Sequence, residues 1–185
     1  MRNVKLFLAV FVSMLIVSCG NNNKPIEQKT LIIEPPRDQY LQQIKKLEDE
    51  LRNSDTVNNI TATQAIKAYL DYVLFFPNDS IAPGYLFKAG ELAASTHHYT
   101  QALTYYQKVT ASYPNFKYFK ESLYLQGFLL DNFLNSDDKA KIIYEEIIDK
   151  YPATNYANDA KAAINNLGKT DEQLIKEFKK KNKQK

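Results

Sequence analysis

The sequence predicts an all-α fold, a solenoid of about four stacked helical hairpins, on three observations. A four-residue pattern recurs three times, ending at Pro77, Pro114 and Pro152, which are 37 and 38 residues apart. Apolar residues return every three or four positions through most of the chain, the period of an amphipathic helix. Only five glycines punctuate 185 residues, against thirteen tyrosines and ten phenylalanines, a composition of long elements with bulky packing residues. That length allows one domain with a substantial core.

From the beginning of the chain, Arg2 and Lys5 precede an apolar run over residues 6–17 broken only by Ser13. About twenty apolar residues are needed to span a bilayer, so the run suits the core of a signal peptide better than a permanent span. Leu15-Ile16-Val17-Ser18-Cys19-Gly20 follows. This string resembles a bacterial lipobox: branched apolar residues, a small side chain beside the scissile bond, and a cysteine whose thiol forms the thioether to lipid. The expectation is a signal peptide at 1–18 and acylation of Cys19, the single cysteine of the chain, which therefore has no partner for an internal disulfide. Each buried methylene contributes about 0.8 kcal/mol, so several acyl chains (palmitate among them) anchor a domain almost permanently. Gly20 stands where an aspartate marks inner-membrane retention in some bacteria, which favours the outer membrane, facing the periplasm. Residues 19–36, with an asparagine run and Pro25, Pro35 and Pro36, read as a flexible tether.

The helical domain is expected over 37–182, with helices at 37–53, 61–76, 82–95, 99–113, 117–133, 137–151, 154–167 and 170–182, and a basic tail at 183–185. In the first helix Tyr40, Ile44, Leu47 and Leu51 form a two-heptad apolar stripe. It suits either a coiled-coil contact with another chain or packing on the next helix. Thr61 with Gln64, and Thr170 with Gln173, have the spacing of a capping box. The Lys-rich last helix fits a solvated cap on the stack.

The repeat itself is Ala65, Tyr69, Phe76, Pro77, then Ala102, Tyr106, Tyr113, Pro114, then Ala140, Tyr144, Tyr151, Pro152, with identical internal spacings. An alanine and an aromatic four residues later share one helical face. The small side chain admits a neighbouring helix, the tyrosine fills the adjoining space, and the proline ends the helix. This pattern resembles the second helix of the tetratricopeptide repeat. The first helix of such a unit carries small and apolar residues, as do Leu86, Ala89, Gly90 and Ala93. Before the third copy, Tyr124, Gly127 and Phe128 correspond with the glycine displaced by one residue. The phrases Leu86-Phe87-Lys88-Ala89-Gly90 and Tyr151-Pro152-Ala153-Thr154-Asn155-Tyr156-Ala157 resemble periplasmic repeat lipoproteins. Among these are the D component of the outer-membrane β-barrel assembly machinery and the repeat domain of the Tol-associated cell-division coordinator. The resemblance covers about residues 60–168 and implies a tetratricopeptide-like hairpin solenoid. Two departures stand out: a shorter chain than the five-repeat assembly factor, and a heptad stretch that is brief beside the coordinator's coiled coil.

Charge excludes one class of partner. The net charge is +3. Without Arg2 and Lys5 it is +1, and residues 171–185 hold six lysines against three acids, which leaves about −2 over 19–170. No basic field is available for nucleic acid. The two histidines, His97 and His98, are adjacent in an expected turn, and adjacent helical positions diverge by about 100°. They read as solvated, and no metal or other cofactor is expected. No HExxH, GxSxG or Gly-rich phosphate loop is present, so the chain is not expected to be an enzyme. Asp55-Thr56 and Asp79-Ser80, each followed by a branched residue, resemble a bacterial O-glycosylation acceptor, with helix-start capping the plainer reading. Lys179, Lys180, Lys181, Lys183 and Lys185 suit anionic lipid, an acidic partner or simply solvent.

The function implied is a lipid-anchored envelope scaffold that binds protein partners in the groove lined by each unit's first helix. Outer-membrane protein assembly and envelope coordination are its expected settings; the alternative is a surface-exposed ligand-binding lipoprotein. Aligning the first helices of successive units places Phe87 and Glu91, and then Leu125, Leu129 and Asn132, towards that groove.

Overall fold

In a computed structural model, residues 36–54 and 58–182 are described. Expectations for the signal peptide, Cys19, the tether up to Pro35, Thr56 and the tail at 183–185 lie outside these residues. All regular structure among the described residues is helical: α1 Arg37–Arg52, α2 Asn59–Phe75, α3 Ala82–Ser95, α4 Tyr99–Ser112, α5 Phe119–Asn132, α6 Asp137–Lys150, α7 Asn155–Asn166 and α8 Asp171–Asn182. None of them is long and apolar enough to cross a membrane.

Successive helices pack antiparallel in chain order from α1 to α7. At the far end α5 also touches α7 directly, and no comparable contact joins α4 to α6. At this end of the stack α5 and α7 therefore approach one another across α6. The fold is a tetratricopeptide-like solenoid of consecutive hairpins. The expected fourth hairpin is open: α8 makes only sparse contacts with the helices before it.

The apolar stripe of α1 is used within the chain. Ile44 and Leu47 are buried in a cluster with Ala65, Ala68, Tyr69 and Tyr72, and Tyr40 and Leu51 pack at its edge. The stripe faces α2, which removes it as a coiled-coil seam.

The caps explain where helices begin. Asn58, not Thr61, starts α2: its side chain accepts the Ile60 N–H at 2.9 Å, and Thr61 lies inside the first turn. Thr170 and Gln173 do form a reciprocal capping box at α8, with side-chain to backbone bonds of 2.9 and 3.4 Å. Thr154 accepts the Ala157 N–H at the start of α7.

The repeated residues do what their sizes suggest. Ala65, Ala102 and Ala140 are fully buried at helix crossings, and Tyr69, Tyr106 and Tyr144 fill the space beside them. The apparent displacement of the second glycine is resolved in the turns. Thr96 to His98 joins α3 to α4, whereas Phe133 to Ser136, one residue longer, joins α5 to α6. Gly90 and Gly127 then occupy the same place: a Cβ would lie 2.6 Å from the Tyr106 ring in one hairpin and 2.7 Å from the Tyr144 ring in the other. Each glycine is required by the close approach of a buried ring.

The α3–α4 turn has a left-handed residue at His97, φ 63°. The His97 N–H bonds to the Ala94 carbonyl and the His98 N–H to the Ala93 carbonyl, a Schellman closure that ordinarily employs glycine. In the longer turn the left-handed residue is Asn135, φ 47°.

Candidate partner-binding face

The one-residue insertion decides which side chains line the inner face. Matching α3 to α5 by their glycines places Glu91 opposite Phe128, Lys88 opposite Leu125, and Ser95 opposite Asn132. An alignment that ignores the longer turn slips by one position, and this is why two of the five expected groove residues fail. Phe87 is 5% exposed and packs against Tyr106, Phe116 and Tyr118. Leu129 is 3% exposed in the same cluster. Both are core residues and are withdrawn from the groove. Leu125 is half-buried against that cluster. Glu91 and Asn132 are exposed; Asn132 donates its amide to the Phe128 carbonyl.

The residue that the slipped alignment missed is Phe128, 37% exposed at the centre of the face. It belongs to a chain of ring contacts: Tyr156 to Tyr124 at 5.8 Å, Tyr124 to Phe128 at 6.5 Å, Phe128 to Phe133 at 5.8 Å, and Phe133 stacked on Tyr99 at 4.1 Å. Phe133 is itself 41% exposed. Phe128 and Phe133 are exposed and the other three rings half-buried; exposed rings backed in this way are the composition of interface anchors.

Carboxylates flank the strip. Asp131 accepts the Tyr144 hydroxyl at 3.4 Å. Burial, then the charge of Asp137, raises the Asp131 pKa, while the tyrosine hydrogen bond acts against both. Partial desolvation, then Glu121, raises the pKa of Glu91 although it keeps contact with solvent, with Lys88 opposing. Burial pushes the Tyr124 hydroxyl up, and Asp159 and Asp131 push it further. Negative charge is thus concentrated where rings are exposed.

Between α5, α7 and the turn into α8 lies a cleft of about 690 Å³, lined by Tyr124, Phe128, Asp131, Asp137 and Asp159 among others. A cleft of similar size, about 720 Å³, lies between α1 and α2, but solvated polar and charged side chains line it. The aromatic cleft is the one with anchors to offer.

The other residues singled out from the sequence are local. His97 and His98 are exposed and do not converge: the Nδ1 of His97 meets the Tyr99 hydroxyl at 2.7 Å, and that of His98 meets the Thr96 hydroxyl at 3.0 Å. Asp79 does not cap α3, whose N-cap Ile81 has no side-chain cap; it accepts the Ile81 N–H within the preceding turn and ties down the first hairpin through Arg37 and Tyr72. Ser80 is exposed beside it. Lys179 and Lys180 are exposed on α8.

Comparison with known protein families matches the tetratricopeptide repeat at residues 85–115 and 121–154. These two stretches correspond to α3–α4 and α5–α6, the hairpins in which the glycine–tyrosine pairs sit. No curated protein matches the chain.

Proposed function

We propose that the chain is a lipid-anchored scaffold of the bacterial envelope that holds a protein partner on the inner face of its repeat stack. Tetratricopeptide repeats serve as protein-interaction scaffolds, and two of them are recognised here. The observation that carries the reading is the exposed aromatic strip centred on Phe128 and Phe133, which lies on the face that such repeats offer to partners. Anchoring through Cys19 rests on the lipobox-like string and on the single cysteine of the chain. An outer-membrane setting, in protein assembly or envelope coordination, rests on Gly20 and on the resemblance to periplasmic repeat lipoproteins.

Site-specific photo-cross-linking tests the face. A photoreactive residue at Asn132, on the inner side, is expected to capture a protein in intact cells, and one at Glu145, exposed on α6, is not. Equal capture at both positions, or at neither, rejects the assignment. The anchor has its own test: Cys19→Ser is expected to abolish acylation and processing, and a variant that fractionates like the native chain rejects it.

A further inference from the structure

The same small device occurs at both ends of the stack, complete at one and incomplete at the other. Tyr72 donates its hydroxyl to Asp79 at 2.6 Å, and Arg37 pairs with that carboxylate at 2.6 Å while its guanidinium lies 5.9 Å from the Tyr72 ring. Tyr69 donates to Glu48 at 3.0 Å, and Lys88 pairs with it at 2.7 Å while its ammonium lies 5.6 Å from the Tyr85 ring. In each, a tyrosine hydroxyl and a cation share one carboxylate, and the cation also faces a ring.

Tyr144 stands at the repeat position of Tyr69 and donates to Asp131. Here the tyrosine, the carboxylate and the rings are present, but no lysine or arginine among the described residues pairs with Asp131, Asp137 or Asp159. Lys169, on the wall of the same cleft, is already paired with Glu177 at 2.8 Å. The N-terminus of α6 offsets only part of the Asp137 charge. Like charges gathered beside an open ring face, with Asp137 adding to the raised pKa of Asp131, are the complement of an organic cation. Among the described residues no three acids or histidines come together in a metal-binding group, so the arrangement suits a single-point cation better than a chelated ion.

We propose that the cleft between α5 and α7 receives a basic segment of a partner protein, one lysine or arginine entering against Asp131 and Asp137 with apolar neighbours lying on Tyr124 and Phe128. The inference rests on the scaffold reading and adds the chemistry of the partner. The occupant completes at the C-terminal end the triad that Arg37 and Lys88 complete at the N-terminal end.

The test uses the full chain in detergent micelles and two fluorescein-labelled peptides. One alternates lysine or arginine with leucine or phenylalanine; the other replaces every base with glutamate. Fluorescence anisotropy is expected to register binding of the basic peptide alone, weakening as salt rises. Asp131→Asn with Asp137→Asn is expected to reduce that affinity about tenfold or more, and Glu145→Gln on the outer face to change it less than about twofold. Should the double variant melt early, Asp137→Asn alone, at an exposed position, carries the same comparison. Equal binding of the glutamate peptide, or basic-peptide affinity unchanged by the Asn variants, overturns the proposal. If cross-linking at Asn132 still captures a protein in that case, the scaffold reading survives without the charge assignment. A concentration-dependent dimer dissolved by the same variants would make the Lys-rich α8 of a second copy the occupant, and overturn assignment to a separate partner.

Discussion

The first hairpin and the α5–α7 end use the same residue types to opposite effect. At the first hairpin the rings of Tyr40, Tyr72, Phe76 and Tyr85 interlock at centroid separations of 5.0 to 6.5 Å, with Asp79 and Glu48 both neutralised by cations. Around α5 the rings form an open strip, and Asp131, Asp137 and Asp159 beside it have no ion-pair partner among the described residues. The repeat pattern is shared by both regions, so it cannot be what separates them. The difference lies at the non-repeated positions: α1 supplies Arg37 and an apolar stripe that covers one end, whereas α8 makes only sparse contacts with the other. A repeat sets the stack, and the residues outside it decide which end is closed.

The largest predicted effect comes from adjacent residues on α5. Leu129→Ser removes a buried leucine and buries a hydroxyl, with an expected loss of about 3–5 kcal/mol. The double change with Leu125→Ser should therefore lower the melting temperature sharply. Phe128→Ser, one position away, should cost about 1 kcal/mol or less in stability while reducing partner capture. If thermal denaturation ranks the two single variants the other way, the register of the inner face is wrong.

Overpacking the repeat crossings comes next. Ala102→Phe and Ala140→Phe each place a large ring at a fully buried site and should cost about 1–3 kcal/mol or more. Gly90→Ala and Gly127→Ala should fall in the same range, because each new Cβ meets a buried tyrosine ring below 3 Å. Chemical denaturation of the four variants is the measurement. A neutral Gly127→Ala would detach the third copy of the pattern from the second.

These positions also mark what was legible. The small–aromatic–proline pattern predicts every helix from α3 to α7 within two residues at either end, because it encodes who crosses whom. The groove was only partly legible. Spacing along the chain does not reveal that the extra residue sits in the α5–α6 turn, and one residue rotates a helical position by about 100°. Phe87 and Leu129 were thus exchanged for positions one step away. Pairing each glycine with the tyrosine of its own hairpin, rather than counting from the prolines, would have set the frame. Asn58 was missed as a cap because Thr61 offered a fuller motif three residues on. The sparse docking of α8 had no local signal, since an amphipathic pattern does not say whether a partner surface exists.

A smaller effect compares two carboxylates that accept tyrosine hydroxyls. Hydrogen bonds from Tyr72, Arg37 and the Ile81 N–H hold the Asp79 pKa down at about 2. Its contribution is therefore complete above the ordinary value near 3.8 and is lost as pH falls through about 2. Asp79→Asn should cost about 1–2 kcal/mol at neutral pH and remove that part of the acid sensitivity. The Asp131 pKa is raised, chiefly by burial, so its ionised form opposes folding and protonation relieves it. Asp131→Asn should change stability by no more than about 0.5 kcal/mol at neutral pH, towards stabilisation. Melting curves taken between neutral pH and pH 2 distinguish the pair. Equal losses from both substitutions would mean that the two ends are compensated alike.

The smallest effect concerns the turns that set the register. His97 sits at φ 63°, where a β-carbon is strained and glycine is not. Its ring gains little in return, since the bond to the Tyr99 hydroxyl is exposed. His97→Gly should therefore stabilise the chain by about 1 kcal/mol, because the Schellman bonds from residues 97 and 98 need only the backbone. His97→Ala keeps the strain and should change little. Asn135, at φ 47°, belongs to the residue type that tolerates this conformation best after glycine, so Asn135→Gly should gain about 0.5 kcal/mol or less. Urea unfolding of the three variants resolves the order. A loss of stability at His97→Gly would show that the imidazole–hydroxyl contact outweighs the strain, making the shorter turn, and not the backbone closure, the element that holds α3 and α4 in register.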